Sequence, residues 1–313
     1  MKKNLKTCLG FLMAGFLLNG LAACEKANLG EEEEVAETTK QQVNNKTTNG
    51  NLTIRVSDFH FVPYTQQLSA ENTGTTRAVI DLTTYCTRLN YVVYKDGKKV
   101  DSRSQLKEDG GFGEVTMKLS PGTYKLLVLA HSSRGGNPTL SDPEHIQFTN
   151  ALGYSDTFSY YDNIEVTNES KTHEVILTRV SSLLNFIIDD EIPAEVAKVH
   201  FLYTGGSGVL NAVTGYGGNV NSKQERLYNI SGLTAPLTLP IYTFLQADEG
   251  ELEVTVTAQD ADGNIVKTRK FTNIPMKRNM VTEYKGTFFD HDSDNNFAIK
   301  GDTEWSDTLH LNY

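Results

Sequence analysis

Cysteine is scarce, with three in 313 residues. Cys8 and Cys24 lie in an N-terminal apolar region, so Cys86 is the only cysteine left for a folded part. No intramolecular disulfide can form there, and stability has to come from packing. Tryptophan is scarcer still: Trp305 stands alone. Basic residues are outnumbered, 29 Lys and Arg against 39 Asp and Glu. That balance excludes nucleic acid as a partner, because such binding rests on basic clusters that neutralise phosphates. The apolar stretch at residues 9–23 is shorter than the roughly 20 residues that span a bilayer. No amphipathic helical pattern runs beyond two turns.

What is present begins with Lys2, Lys3 and Lys6, then an apolar segment up to Leu21-Ala22-Ala23-Cys24. A basic head, a short apolar run and small residues before a cut read as a secretory signal over residues 1–23. The cysteine straight after Leu-Ala-Ala resembles a bacterial lipobox, which makes Cys24 the expected lipidation site. Several acyl chains hold a protein stably at a membrane where one does not. Residues 24–50 are rich in Glu, Thr, Asn, Gln and Lys and include Glu31 to Glu34 in a row. Such a segment buries too little apolar surface to offset its ordering entropy, so a disordered, flexible, acidic tether is expected. An acidic patch soon after a lipidated cysteine also resembles the surface-export signal of Bacteroidetes lipoproteins. Without residues 1–23 the 29 basic residues become 26 against the same 39 acidic ones, a formal charge of −13.

Past Gly50 the pattern has period two. Apolar and polar residues alternate in LTIRVS (52–57), VTMKL (115–119) and LEVTVTA (252–258), each the signature of a strand with one face in a core. YKLLVLA (124–130) and LLNFII (183–188) are apolar on both faces and are expected to be central strands. Turn chemistry separates the runs at Lys95-Asp96-Gly97-Lys98, Ser120-Pro121-Gly122-Thr123 and Asp260-Ala261-Asp262-Gly263-Asn264. Many short strands with regular turns predict an all-β chain of antiparallel β-sandwich domains. The hairpin pattern restarts where EVILTRV (174–180) passes into SSLLNFII (181–188). Two domains are therefore expected in tandem, residues 51–179 and 180–313, with hardly any linker. GGSGVLNAVTGYGGNVN (205–221) reads as a long surface loop.

Catalytic chemistry is missing. The seven histidines show no HExxH and no i,i+4 pair, and His60 and His200 fall within strand patterns, where a structural role is expected. GGSG (205–208) lacks both the nucleophile-elbow spacing and the P-loop Lys-Ser/Thr. Asp290 to Asn295 places acids at alternate positions, but neither register supplies the glycine and glutamate of a calcium loop. Asp189 and Asp190, as neighbours on a strand, point to opposite faces and cannot share chemistry. No catalytic residue, metal ligand or cofactor is expected, and no enzyme activity.

The C-terminal residues Thr308 to Tyr313 alternate polar and apolar. They read either as an internal edge strand of the second domain or as a strand donated to a neighbour's open sheet edge, with Leu309, Leu311 and Tyr313 as the anchoring side chains. After the first strand a polar stretch ends at Thr76-Arg77-Ala78, where Arg77 is a candidate site for proteolytic processing.

Several ordered pieces carry a resemblance. They are the lipobox with Cys24, NLTIRVSDF (51–59), Thr76-Arg77-Ala78, GGFGEVTMKLSPGTYKLLVLAH (110–131) and YSDTFSYYDNIEV (154–166). The second half adds LTRVSSLLNFII (177–188), PMKRNMVTEYKGTFF (275–289) and FAIKGDTEW (297–305). In this order they resemble the FimB-like anchor branch of the fimbrillin superfamily, from the type V fimbriae of Bacteroidetes. The resemblance implies two transthyretin-like sandwiches and a fimbrial anchor or structural subunit, lipid-tethered and surface-exposed at the cell outer membrane. Its implied partners are other fimbrillin subunits and the membrane itself. In that family, stalk subunits are cut at the Arg77 position, losing the first strand, and a neighbour's C-terminal strand fills the groove; anchor subunits keep their lipid. The alternative is a surface glycan-binding lipoprotein of the same architecture. The single tryptophan argues against it, although Tyr160-Tyr161 supply stacking surface.

Overall fold

The computed structural model describes residues 50–60, 81–150, 152–218, 222–290 and, by strand pairing, 297–302. The chain is all-β: among the described residues the one helical element is a 3-10 turn at Leu82–Thr84. The first half contributes β1 (Gly50–His60), β2 (Arg88–Lys95), β3 (Lys98–Leu106), β4 (Glu114–Leu119) and β5 (Gly122–His131). A two-residue strand β6 (Ile146–Gln147) and the long pair β7 (Thr157–Val166) and β8 (Lys171–Arg179) complete it.

Apart from β6, these strands form one seven-stranded sheet in the order β3-β2-β5-β7-β8-β1-β4. Strands β7 and β8 pair only at Phe158 opposite Arg179 and Ser159 opposite Thr178. Beyond that point they part, and the sheet folds over so that β3-β2-β5-β7 faces β8-β1-β4. The alternation read in the sequence lies between these faces. Leu52, Ile54 and Val56 of β1, Met117 and Leu119 of β4, Leu126 and Val128 of β5 and Val175 and Leu177 of β8 meet in one core. The β2–β3 turn holds Asp96 at φ 49° and Gly97 at φ 72°. Both left-handed residues match the twist of the two strands they join, which is why Asp-Gly suits the position.

The second half runs through β9 (Ser182–Ile188), β10 (Lys198–Thr204), β11 (Val209–Asn211), β12 (Tyr216–Gly217) and β13 (Gln224–Asn229). It continues with β14 (Leu237–Thr243), β15 (Glu249–Gln259), β16 (Ile265–Lys277), β17 (Val281–Gly286) and β18 (Phe297–Asp302). Two four-stranded sheets, β13-β10-β15-β16 and β14-β9-β17-β18, enclose a second core that includes Leu184, Phe186, Phe201, Val254, Phe271 and Phe288. The two halves share one topology. In the first, β1 lies between β4 and β8, antiparallel to the former and parallel to the latter. In the second, β9 lies between β14 and β17 with the same polarities. The second half adds β18, antiparallel on the outer edge of β17.

Residues 205–218 correct an expectation. They do not form a surface loop: Ser207, Val209, Leu210 and Ala212 are buried. Strand β11 pairs with β12 and, across the halves, with β6. The glycines serve close approach and not mobility. A Cβ at Gly206 would fall 1.9 Å from Thr243 Oγ1, and one at Gly208 would fall 2.2 Å from Tyr154 Oη. The insert closes a third core between the halves, in which Leu127 and Leu129 from the outer face of β5 meet Phe148, Tyr154, Leu210 and Phe244. That contact explains why YKLLVLA is apolar on both faces.

The turn from β8 to β9 is also tied down. Arg179 grips Asp156 through Nε and Nη2, and Ser181 Oγ donates to the same carboxylate at 2.9 Å. The guanidinium lies 4.8 Å from the Phe158 ring centroid, so a nearly buried charge is paired and stacked rather than orphaned. Phe148, 1% exposed, bridges the halves: its ring is 5.5 Å from His131 and 5.4 Å from Phe244. Phe148→Ala is expected to cost about 3–5 kcal/mol, the range for truncating a buried phenylalanine. Urea unfolding measures it; a loss within experimental error of zero would mean the third core holds nothing together.

Candidate functional site

Strand β1 is the element on which the implied strand exchange turns. Its two hydrogen-bonded flanks run from Gly50 opposite Leu119 to Arg55 opposite Glu114 on the β4 side, and from Leu52 opposite Lys171 to His60 opposite Thr178 on the β8 side. Its alternate side chains Leu52, Ile54, Val56 and Phe59 are 6% exposed or less. On the solvent face Arg55 spans three strands, with Nε 2.7 Å from Glu114 and Nη1 3.1 Å from Glu174. These exposed pairs align the register and add little stability. The ladder and the buried stripe hold β1 in place. Cys24, Arg77, Leu309, Leu311 and Tyr313 all lie outside the described residues.

The rejected catalytic candidates have structural tasks. Asp190 accepts hydrogen bonds from three consecutive backbone amides, Phe288 at 2.7 Å, Phe289 at 2.5 Å and Asp290 at 2.8 Å. It thereby fastens the chain after β17 to the end of β9. Asp189 points elsewhere, to Lys285 Nζ at 3.1 Å. Of the Asp290–Asn295 stretch, residues 291–295 lie outside the described residues. His200 sits 3.7 Å from the Glu225 carboxylate, and His173 Nε2 meets Tyr160 Oη at 3.0 Å. Cys86 is buried, and burial pushes its thiol up to about 12, which leaves it unreactive. Among the described residues no group of three His, Cys, Asp or Glu side chains is placed to hold a metal ion, and no helix is long and apolar enough to cross a membrane.

One histidine escaped sequence reasoning. His131 ends β5, fully buried, in a run with no motif around it. Ser133 N–H donates to Nδ1 at 3.1 Å, so Nδ1 carries no proton. The other ring nitrogen, Nε2, therefore donates to Asn90 Oδ1 at 2.9 Å, and Asn90 Nδ2 donates onward to Ser104 Oγ. A second proton would face the Ser133 amide inside the protein. Burial, with the Arg88 charge adding to it, lowers the His131 pKa to about 3.

A family model described as a family of unknown function, DUF6562, matches residues 41–310. The chain belongs to this family. No curated protein matches this DUF6562 chain. Among solved structures, a Bacteroides ovatus protein put forward as an adhesin shares 14% identity, with 77% of this chain and 88% of that one covered at a TM-score of 0.47. A Bacteroides thetaiotaomicron structure put forward as polysaccharide-binding (DUF1812) shares 9% identity over 76% and 92% of the two chains, with a TM-score of 0.44. A fimbrial assembly protein from Parabacteroides distasonis shares 13% over 83% and 97%, with a TM-score of 0.38. At these scores no property passes from those proteins to the DUF6562 chain.

The buried histidine carries a pH dependence. Its folded pKa lies below the unfolded value near 6.5, so the unfolded chain binds the extra proton first. Its contribution is complete above that value and is lost as pH falls toward about 3. The expected slope is about 1.4 kcal/mol per pH unit below pH 6. Urea unfolding of wild type and His131→Gln between pH 6.5 and 4 reads it as a difference of one proton; parallel slopes would contradict the assignment.

Proposed function

We propose that this chain is a fimbrial anchor or structural subunit, tethered at the outer membrane by lipid on Cys24 and joined to neighbouring fimbrillin subunits by β-strand complementation. The arrangement of β1 carries the reading. It lies between two strands, hydrogen-bonded to both, with its apolar side chains in the first core. Its covalent link to the rest of the sandwich passes through residues 61–80, which include Arg77. Cutting that link would leave β1 held by hydrogen bonds and packing alone. Its departure would open two strand edges above an apolar trough, the chemistry that recognises an incoming strand. Without a cut, β1 and Cys24 stay on one chain, and the first sandwich remains filled. The C-terminal strand is then the route to a partner, with Leu309, Leu311 and Tyr313 as its anchoring residues. The reading assigns no catalysis, metal or cofactor to the protein.

Intact mass and N-terminal sequence of the protein from its native membrane test this directly. The expected product starts at acylated Cys24 and retains residues 52–77, which makes it a permanent anchor. A product starting at Ala78 without lipid makes it a processed shaft or tip subunit. An unmodified Cys24 on an uncut chain outside the membrane fraction would refute both. Deleting residues 308–313 asks the second question. A donor strand leaves the truncated monomer folded but absent from fimbriae, whereas loss of folding marks an internal strand.

A further inference from the structure

A cleft of about 310 Å³ lies where the fold of the first sheet meets the second half. Its floor is the outer face of β8, where Ile176 and Thr178 alternate with the core residues Val175 and Leu177 and lead on to Val180; His60, opposite Thr178 in register, extends it. One wall is Ser159–Asp162, the part of β7 that leaves β8 at Ser159. The other is the β11–β12 turn, Ala212–Gly215, backed by Arg278.

That second wall is built around the guanidinium. Arg278 is 4% exposed, donates from Nη2 to the Gly215 carbonyl at 2.9 Å and lies 4.3 Å from the centroid of Tyr216. Gly215 sits at φ +74°, and a Cβ there would come within 2.7 Å of Nη2. Glycine is required for the turn to close over the arginine. Tyr216 is held in turn by its hydroxyl on Asp248 at 2.9 Å.

We infer that this cleft is a saccharide-binding site that accepts one uncharged sugar ring of a glycan. Its volume is at the lower end of small-ligand sites, roughly 300–1,000 Å³. A pyranose has an apolar C–H face and a rim of hydroxyls, and the lining divides in the same way. Tyr161, Ile176 and Val213 offer apolar surface, Val213 being 47% exposed on the lip. Asp162 and Thr214 offer polar groups, and the exposed Asp162 carboxylate can accept from adjacent hydroxyls in pairs, while Arg278 shapes the wall from behind. The exposed charge in the lining is the Asp162 carboxylate, so nothing selects an acidic ligand. A peptide strand fits less well, because the edge of β7 within the cleft spans only Ser159–Asp162. The inference is independent of the fimbrial reading and applies equally to an anchor or a shaft subunit.

The full chain, labelled and applied to a printed glycan array, tests it against Asp162→Ala and Thr214→Arg. Both positions are exposed and outside every core, so both variants are expected to keep the wild-type circular dichroism. Wild type is expected to mark glycans with a neutral terminal or internal pyranose. Calorimetry with the strongest free oligosaccharide should give binding about tenfold weaker for Asp162→Ala, the loss of one hydrogen-bonding partner, and none for Thr214→Arg, which fills the cleft. An array without signal, a signal equal in all three proteins, or displacement by an extended peptide but not by sugar would overturn the assignment.

Discussion

Each sandwich is closed by a parallel pairing between its first strand and one about a hundred residues further along the chain. β1 receives β8 more than a hundred residues later, and β9 receives β17 nearly as far on. No local turn can make such a pair, since parallel neighbours need a long crossover. Here the whole intervening sheet is the crossover. Strand β1 is therefore placed last in logic although first in sequence: its groove exists only once β4 and β8 are in position. The same constraint makes it separable. A strand attached to its sandwich through one covalent route and otherwise held by ladders and an apolar stripe can be exchanged for another of similar pattern.

The second consequence concerns the junction. Two sandwiches joined by Val180 and Ser181 alone would be free to swing. The outer face of β5, the β6–β11 pairing and the buried Arg179–Asp156 pair instead join them through a core of their own. The seam leaves a recess where β7 departs from β8, and the insert that closes the third core also supplies a wall of that recess. One insertion in the second half thus determines how the halves meet and what surface they present beside the seam.

Much of this was legible. The alternation in LTIRVS, VTMKL and LEVTVTA identified β1, β4 and β15, because a half-buried strand exposes every second side chain to the core. The Asp96-Gly97 turn was readable because left-handed backbone has few suitable residues. The glycine-rich stretch at 205–218 was misread, since glycines that permit mobility and glycines that permit close contact look alike in sequence. Gly206 and Gly208 belong to the second kind only because Thr243 and Tyr154 are there. His131 was invisible for a similar reason: Asn90, Ser104 and Ser133 reach it from other parts of the fold.

The sequence by itself determined the all-β class, the strand faces and most of the turns, because each depends on residues within a few positions of one another. Only the tertiary structure decided that β1 is an interior strand, that the two halves repeat one topology, and that a third core and a cleft lie at their seam. Those features depend on contacts between residues far apart in the chain. Local pattern records which face of a strand is apolar, and not which strand will cover it.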